Sequence, residues 1–195
     1  MRSRTKEARL FTSNFLRDTY MVGSIVPSSR FLVNAVLATV DWSRARVVVE
    51  YGPGVGTFTA EILRRMRSDA TLVVIETNHD FVKFLGNDLF DERLVIEHDS
   101  AENVQEILER RGLARADYLV SGVPLGSMPK WMQSAIVTAS RNALGPDGEF
   151  LVYQFTSRVL PVLRATFQNV RRGFEFRNLP PAQFFVCSDA VRTSP

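Results

Sequence analysis

The feature that most constrains this chain is the run VVVEYGPGVGTFTAEIL at residues 47–63. An apolar, strand-length segment passes into a glycine-rich turn and then into a segment of helical apolar periodicity. A strand that runs straight into a turn and helix opens an α/β unit, because a parallel neighbour strand is reached only through a crossover connection. Gly52, Gly54 and Gly56 let the main chain turn sharply and approach a ligand with no β-carbon in the way, so a bulky side chain at any of them is expected to block that ligand. The spacing departs from the dinucleotide fingerprint: the third glycine comes one residue early, and Thr57 stands where that motif needs Gly or Ala. A pyrophosphate ligand is thereby disfavoured. Glu50, two residues before the first glycine, sets a carboxylate beside the turn, which repels phosphate and attracts a ligand bearing an ammonium group.

The same alternation continues down the chain. Short Val-, Ile- and Leu-rich runs at 46–51, 71–76, 93–97, 118–121 and 149–155 read as buried parallel strands, with helices expected over 57–67, 79–88, 103–111 and 130–143. LGPDG after the last of these helices suits a helix stop. The pattern is a doubly wound α/β sheet without repeats or linkers. Runs at 171–177 and 183–187 are joined by a connection too short for a crossover helix, so they are expected to form an antiparallel hairpin at the sheet edge. A length of 195 residues suits one such domain, and the longest apolar run is too short to span a bilayer. The single Cys187 makes no intrachain disulfide and reads as a buried strand residue. With no cysteine and histidine cluster for zinc and no signal-peptide pattern at the N-terminus, a reducing, intracellular setting is expected.

Charge is unevenly placed. Arg2, Arg4, Lys6, Arg9 and Arg17 against Glu7 and Asp18 give residues 1–20 the whole net charge of +3. Phe11 and Phe15 stand one helical turn apart among them, an apolar stripe edged by cations. Such a helix either lies on an anionic membrane surface or docks on its own domain with the arginines in water. Further along, Glu76 ends the second strand about 20 residues after the glycine turn, where an acidic side chain accepts hydrogen bonds from both ribose hydroxyls of a nucleoside. Asp99 and Ser100 follow the third strand and either receive an adenine amino group or cap the next helix. His98 lies beside that proposed adenine contact rather than at a reacting centre, and His79 opens a helix facing solvent. Trp42, ahead of the first strand, reads as core.

Glu50, Gly52, Gly54 and Gly56 match ExGxGxG, the first motif of the class I S-adenosylmethionine-dependent methyltransferases, which the chain resembles. The cofactor's methionine moiety carries the ammonium group that Glu50 suits. The resemblance implies a Rossmann-like, seven-stranded, mostly parallel sheet ending in an antiparallel hairpin. Within that class VGSIVPSSR at 22–30, SGVPLG at 121–126 and RNLPPAQFF at 177–185 are similar to bacterial phospholipid N-methyltransferases. That likeness places Gly23, Ser24 and Ser121 with the cofactor-binding residues. It also implies an amphipathic membrane-surface helix over 1–20, with the catalytic domain at 21–195. The implied activity is methylation of phosphatidylethanolamine and its methylated derivatives towards phosphatidylcholine, at the inner face of the cell membrane.

Ribosomal RNA adenine dimethyltransferases share the glycine motif and are the nearest alternative. They carry an asparagine, a proline and an aromatic after strand four to hold and stack the base, whereas this chain has Ser121, Gly122, Val123, Pro124 and Leu125. A nucleic acid partner is therefore not expected, and the protein is expected to be a monomer. A non-catalytic cofactor- or lipid-binding module is a further alternative, against which the intact glycines and acids stand. The reaction is expected to be direct displacement by a neutral amine without a metal. Arg158, just past the fifth strand, is the candidate anchor for the lipid phosphate. Tyr153 and Tyr20 either hold the headgroup amine or pack as ordinary aromatics.

Overall fold

The computed structural model describes residues 28–190. The helix expected over 1–20, and with it Tyr20, Gly23 and Ser24, falls outside them. The first described helix, α1 (Arg30–Leu37), is capped by Ser29, whose hydroxyl accepts from the Leu32 N–H, and it buries Leu32, Val33, Val36 and Leu37. Strands and helices then alternate: β1 (Val47–Tyr51), α2 (Thr57–Arg65), β2 (Thr71–Glu76), α3 (His79–Asp88), β3 (Leu94–His98), α4 (Val104–Arg110), β4 (Ala116–Ser121), α5 (Lys130–Ala143) and β5 (Leu144–Gln154). The described chain ends with α6 (Leu160–Thr166), β6 (Asn169–Glu175) and β7 (Ala182–Ser188).

The strands form one seven-stranded sheet in the order β3-β2-β1-β4-β5-β7-β6. β1 to β5 are parallel, and β7 runs antiparallel to both β5 and β6. This is the Rossmann-like methyltransferase architecture expected from the alternation. Both faces are covered, which is why the central strands are apolar at successive positions. Val49, Ile75, Leu119 and Val152 meet α4, α5 and α6 through Ile107, Ile136 and Leu163. Val48, Leu72, Val120 and Leu151 meet α1, α2 and α3 through Val36, Ile62 and Leu85.

Two elements differ from the sequence-based expectation. LGPDG does end α5, but Leu144 pairs at once with Ala116, so β5 starts before the turn residues and its register breaks between Ala116 and Tyr118. The hairpin lies with β7 inside and β6 at the edge, after a short helix α6 that the sequence pattern did not announce. Because β1 connects towards β2 and β4 towards β5, on opposite sides, the carboxyl ends of β1 and β4 open a crevice.

Candidate cofactor and substrate site

The crevice is a cleft with two unlike walls. Glu76, Thr77, Asp99 and Ser100 supply a polar side, Ala101, Val123, Met128 and Ile136 an apolar side, and Gly52 lies between them. Four of the positions named from sequence therefore meet in one place. The Gly52 main chain has φ of +64°, and a β-carbon there would stand 3.0 Å from Val123 Cγ2, so the cleft keeps its opening only with glycine at this turn.

Glu76 is the best-placed acceptor. One carboxylate oxygen takes the Asn78 N–H at 2.8 Å, while the buried Oε2 has no partner among the described residues. Burial raises its pKa, and the backbone N–H groups of Asn78, Thr77 and Gly54 pull the other way. A buried carboxylate oxygen without a donor calls for one, and a ribose hydroxyl is a donor of that kind. Asp99 serves the local fold as well as lining the cleft. Its Oδ1 accepts from the Ser100 N–H at 2.8 Å and from Asn103 Nδ2 at 2.7 Å, which ties the turn after β3 together at the cleft wall. Ser121 is fully buried, and its hydroxyl also lacks a partner among the described residues.

Glu50 lies beside the turn as a buried carboxyl, not as an exposed charge. It is 2% exposed, and its Oε2 accepts from the Thr59 hydroxyl at 2.7 Å. Burial lifts its pKa to about 8, with the Thr59 bond opposing and the nearby Glu76 adding to the rise. The carboxyl is thus held largely protonated at neutral pH, and a cation beside it would favour its ionised form. Gly56 caps α2 at φ of +80°, and a β-carbon there would stand 2.8 Å from Leu85 Cδ2 of α3, so a side chain there would disturb helix packing.

The family model described as ribosomal RNA adenine dimethylase matches residues 4–106, just over half the chain. An ornithine lipid N-methyltransferase of Singulisphaera acidiphila is 34% identical over 192 residues, covering 93% of this chain and 96% of that protein. This chain belongs to the class I S-adenosylmethionine-dependent methyltransferases. Ribosomal RNA small subunit methyltransferase A of Laribacter hongkongensis is 35% identical to the methyltransferase over 99 residues, covering 51% of this chain but 32% of that protein. The fold is shared with human methyltransferase-like protein 13 in complex with SAH, at a TM-score of 0.63 and 12% identity, covering 85% of this chain and 82% of that one. It is shared too with the 1,6-didemethyltoxoflavin-N1-methyltransferase of Burkholderia thailandensis bound to S-adenosylhomocysteine, at a TM-score of 0.66 and 16% identity, covering 96% and 90%.

S-adenosylmethionine is the methyltransferase's cofactor, and the cleft fits it: an unpartnered buried carboxylate oxygen for a diol, an apolar wall for a base, and Glu50 beneath the turn for positive charge. On the β5 side the SGVPLG loop borders the cleft through Val123. A β-carbon on Gly122 would fall 2.2 Å from the Tyr153 hydroxyl, and one on Gly126 would fall 3.4 Å from Arg158 Cβ. Tyr153 and Arg158 thus both border this loop. The Tyr153 ring stacks on Phe58 of α2 with centroids 4.5 Å apart, so packing fixes its position. Arg158 is exposed, and no acid pairs with it among the described residues.

The sequence reading missed Gln154 and Gln183. Gln154 Oε1 accepts from the Gly126 N–H at 3.1 Å and its Nε2 donates to the Val123 carbonyl at 2.8 Å, so it pins the loop from both ends. Gln183 pairs opposite it on β7, buried, with an Oε1 that has no partner among the described residues. A polar residue closing an otherwise apolar strand run was the available signal. His98 is exposed at the tip of β3, with Nε2 3.0 Å from the Thr77 carbonyl, away from the SGVPLG loop. Trp42 packs against the α1 side of the sheet, and Cys187 is fully buried with its thiol pKa pushed up by burial, as read from sequence.

Proposed function

We propose that this methyltransferase N-methylates the amine of a membrane lipid whose headgroup also carries an oxyanion: phosphatidylethanolamine and its methylated derivatives on the way to phosphatidylcholine, or an ornithine lipid. One observation carries the reading. Similarity to a lipid N-methyltransferase covers 93% of the chain, the SGVPLG loop included, whereas similarity to the ribosomal RNA enzyme covers about half of it. The loop itself supports it, since Ser121 to Leu125 offers neither the amide nor the ring that a flipped base needs.

Both candidate headgroups set an amine near an oxyanion, a phosphate in one and a carboxylate in the other. Arg158 suits either, because a guanidinium offers paired donors to two oxygens. S-adenosylmethionine supplies, when bound, an electrophilic methyl group on a sulfonium. The protein's own part is to hold the cleft open at Gly52, to balance the positive charge with Glu50, and to position the amine over the loop that Gln154 pins. The basic, Phe-bearing residues 1–20 bring a monomeric enzyme to the anionic inner face of the membrane.

The test is methyl transfer from labelled S-adenosylmethionine to vesicles containing either phosphatidylethanolamine or ornithine lipid, with and without anionic lipid, read as label in the organic phase. Transfer to one or both lipids, rising with anionic lipid, is expected. Label found only in added ribosomal RNA refutes the reading. Arg158→Ala is expected to raise KM for the lipid and leave S-adenosylhomocysteine binding unchanged.

A further inference from the structure

The outermost strand of the sheet carries large apolar side chains into solvent. At the β6–β7 tip Phe176 is 76% exposed and Leu179 81% exposed, with Phe174 half-exposed beneath them and stacked on Phe176 at 5.9 Å. An unpaired edge strand bearing exposed aromatics is an aggregation hazard unless something covers it. β6 is parallel to β5, so this tip lies at the carboxyl end of the sheet, the end at which the cofactor cleft opens. Trp131, at the start of α5, and Phe155, just past the end of β5, are exposed at the same end.

The charges around the tip are of one sign. Arg172 lies over the Phe174 ring at 4.4 Å and Arg177 over Phe31 at 4.4 Å. Arg30 joins them, because the Ser29 N–H donates to Asn178 Oδ1 and ties the start of α1 to the hairpin. The hairpin's own acid, Glu175, is buried and bound twice by Arg177, at 2.9 Å to each oxygen. Apolar tips rimmed by arginines, whose guanidinium groups lie over aromatic faces, suit the boundary between lipid tails and anionic headgroups.

We propose that the β6–β7 tip, Phe176 and Leu179 foremost, inserts into an anionic bilayer and turns the cleft mouth towards it. The partner is chosen on the lipid reading above, and the tip and the cleft open at the same end of the sheet. Here the contact is made by the catalytic domain itself, separately from residues 1–20.

The full-length protein and the double variant Phe176→Ser, Leu179→Ser are sedimented with vesicles of phosphatidylcholine alone and of phosphatidylcholine with phosphatidylglycerol. Both side chains are exposed, so the fold tolerates the change. Removing two inserted apolar side chains weakens partitioning to the anionic vesicles by about tenfold or more. In a second variant, Phe176→Trp, the emission of the added indole, taken as the difference from wild type, is expected to shift to the blue on anionic vesicles and to be quenched by brominated lipid tails. Unchanged partitioning in the double variant overturns the proposal, as does an added indole whose emission ignores vesicles. So does a wild-type dimer that the double variant dissolves without loss of vesicle binding, which makes the patch a self-interface. Transfer to the same lipids dispersed in detergent is expected to stay within about twofold in the double variant, because the loss belongs to the bilayer step. Failure of the wild type to methylate any lipid in detergent sinks the lipid function, while the sedimentation result still decides the hairpin.

Discussion

Glu50→Gln is expected to make this protein more stable and a poorer binder of its cofactor. Burial lifts the Glu50 carboxyl from its ordinary 4.5 to about 8. A carboxyl whose pKa rises on folding binds its proton more tightly in the folded state. It therefore works against folding as pH climbs above 4.5, and the effect levels off above about 8. At about 1.4 kcal/mol per pH unit, the penalty reaches roughly 3 kcal/mol at pH 7. Glutamine keeps an oxygen for the Thr59 hydroxyl but has no charge to desolvate. For a domain of this size roughly 2–4 °C of Tm accompanies each kcal/mol. The variant's gain should be close to nil near pH 4.5 and grow to several degrees by neutral pH. Bound cofactor reverses the preference, because its positive charge holds Glu50 ionised. At pH 7 the wild type should release about 0.9 of a proton from this group on binding S-adenosylhomocysteine, and its affinity should rise with pH up to about 8. Calorimetry in two buffers of different ionisation heat reads the release directly. The variant should lose that share of the release and bind about 10- to 100-fold more weakly, the range for a charge-assisted contact. A Tm difference that is flat with pH, or equal proton release by both proteins, would refute the reasoning.

Glu76→Gln should weaken S-adenosylhomocysteine binding by roughly 10- to 100-fold in a titration, since the unpartnered Oε2 becomes a weaker acceptor or turns into a donor. Unchanged affinity would remove Glu76 from the site. Gly56→Ala should lower stability by about 1–2 kcal/mol in a denaturant melt, from left-handed backbone strain and the Leu85 contact, more than it lowers affinity for cofactor; the reverse order would mean the glycine faces the ligand after all. Gln154→Leu leaves the Gly126 N–H and the Val123 carbonyl without their partner and should cost about 1–3 kcal/mol of stability. It should also reduce kcat, because the SGVPLG loop at the cleft loses its tie; a variant with wild-type melting and turnover would contradict this.

Much of this protein was written locally in its sequence. The strand, glycine turn and helix of residues 47–65, the alternation that follows, and the hairpin at the end are set by short-range periodicity, and the structure keeps their positions to within a few residues. The acid at the tip of β2 was legible for the same reason, since the end of a parallel strand has a fixed place relative to the crevice. Tertiary structure alone decided what the side chains meet. That Glu50 is buried under α2 with Thr59 as its partner, and that Gly56 packs towards Leu85 of α3, the sequence did not show. Gln154 became a brace, and Phe176 and Leu179 an exposed tip, only when β7 settled between β5 and β6 and left β6 outermost. Periodicity reports which way a residue points from its own backbone. Burial, pKa and exposure depend on elements far away in sequence, and those contacts exist only in the folded chain.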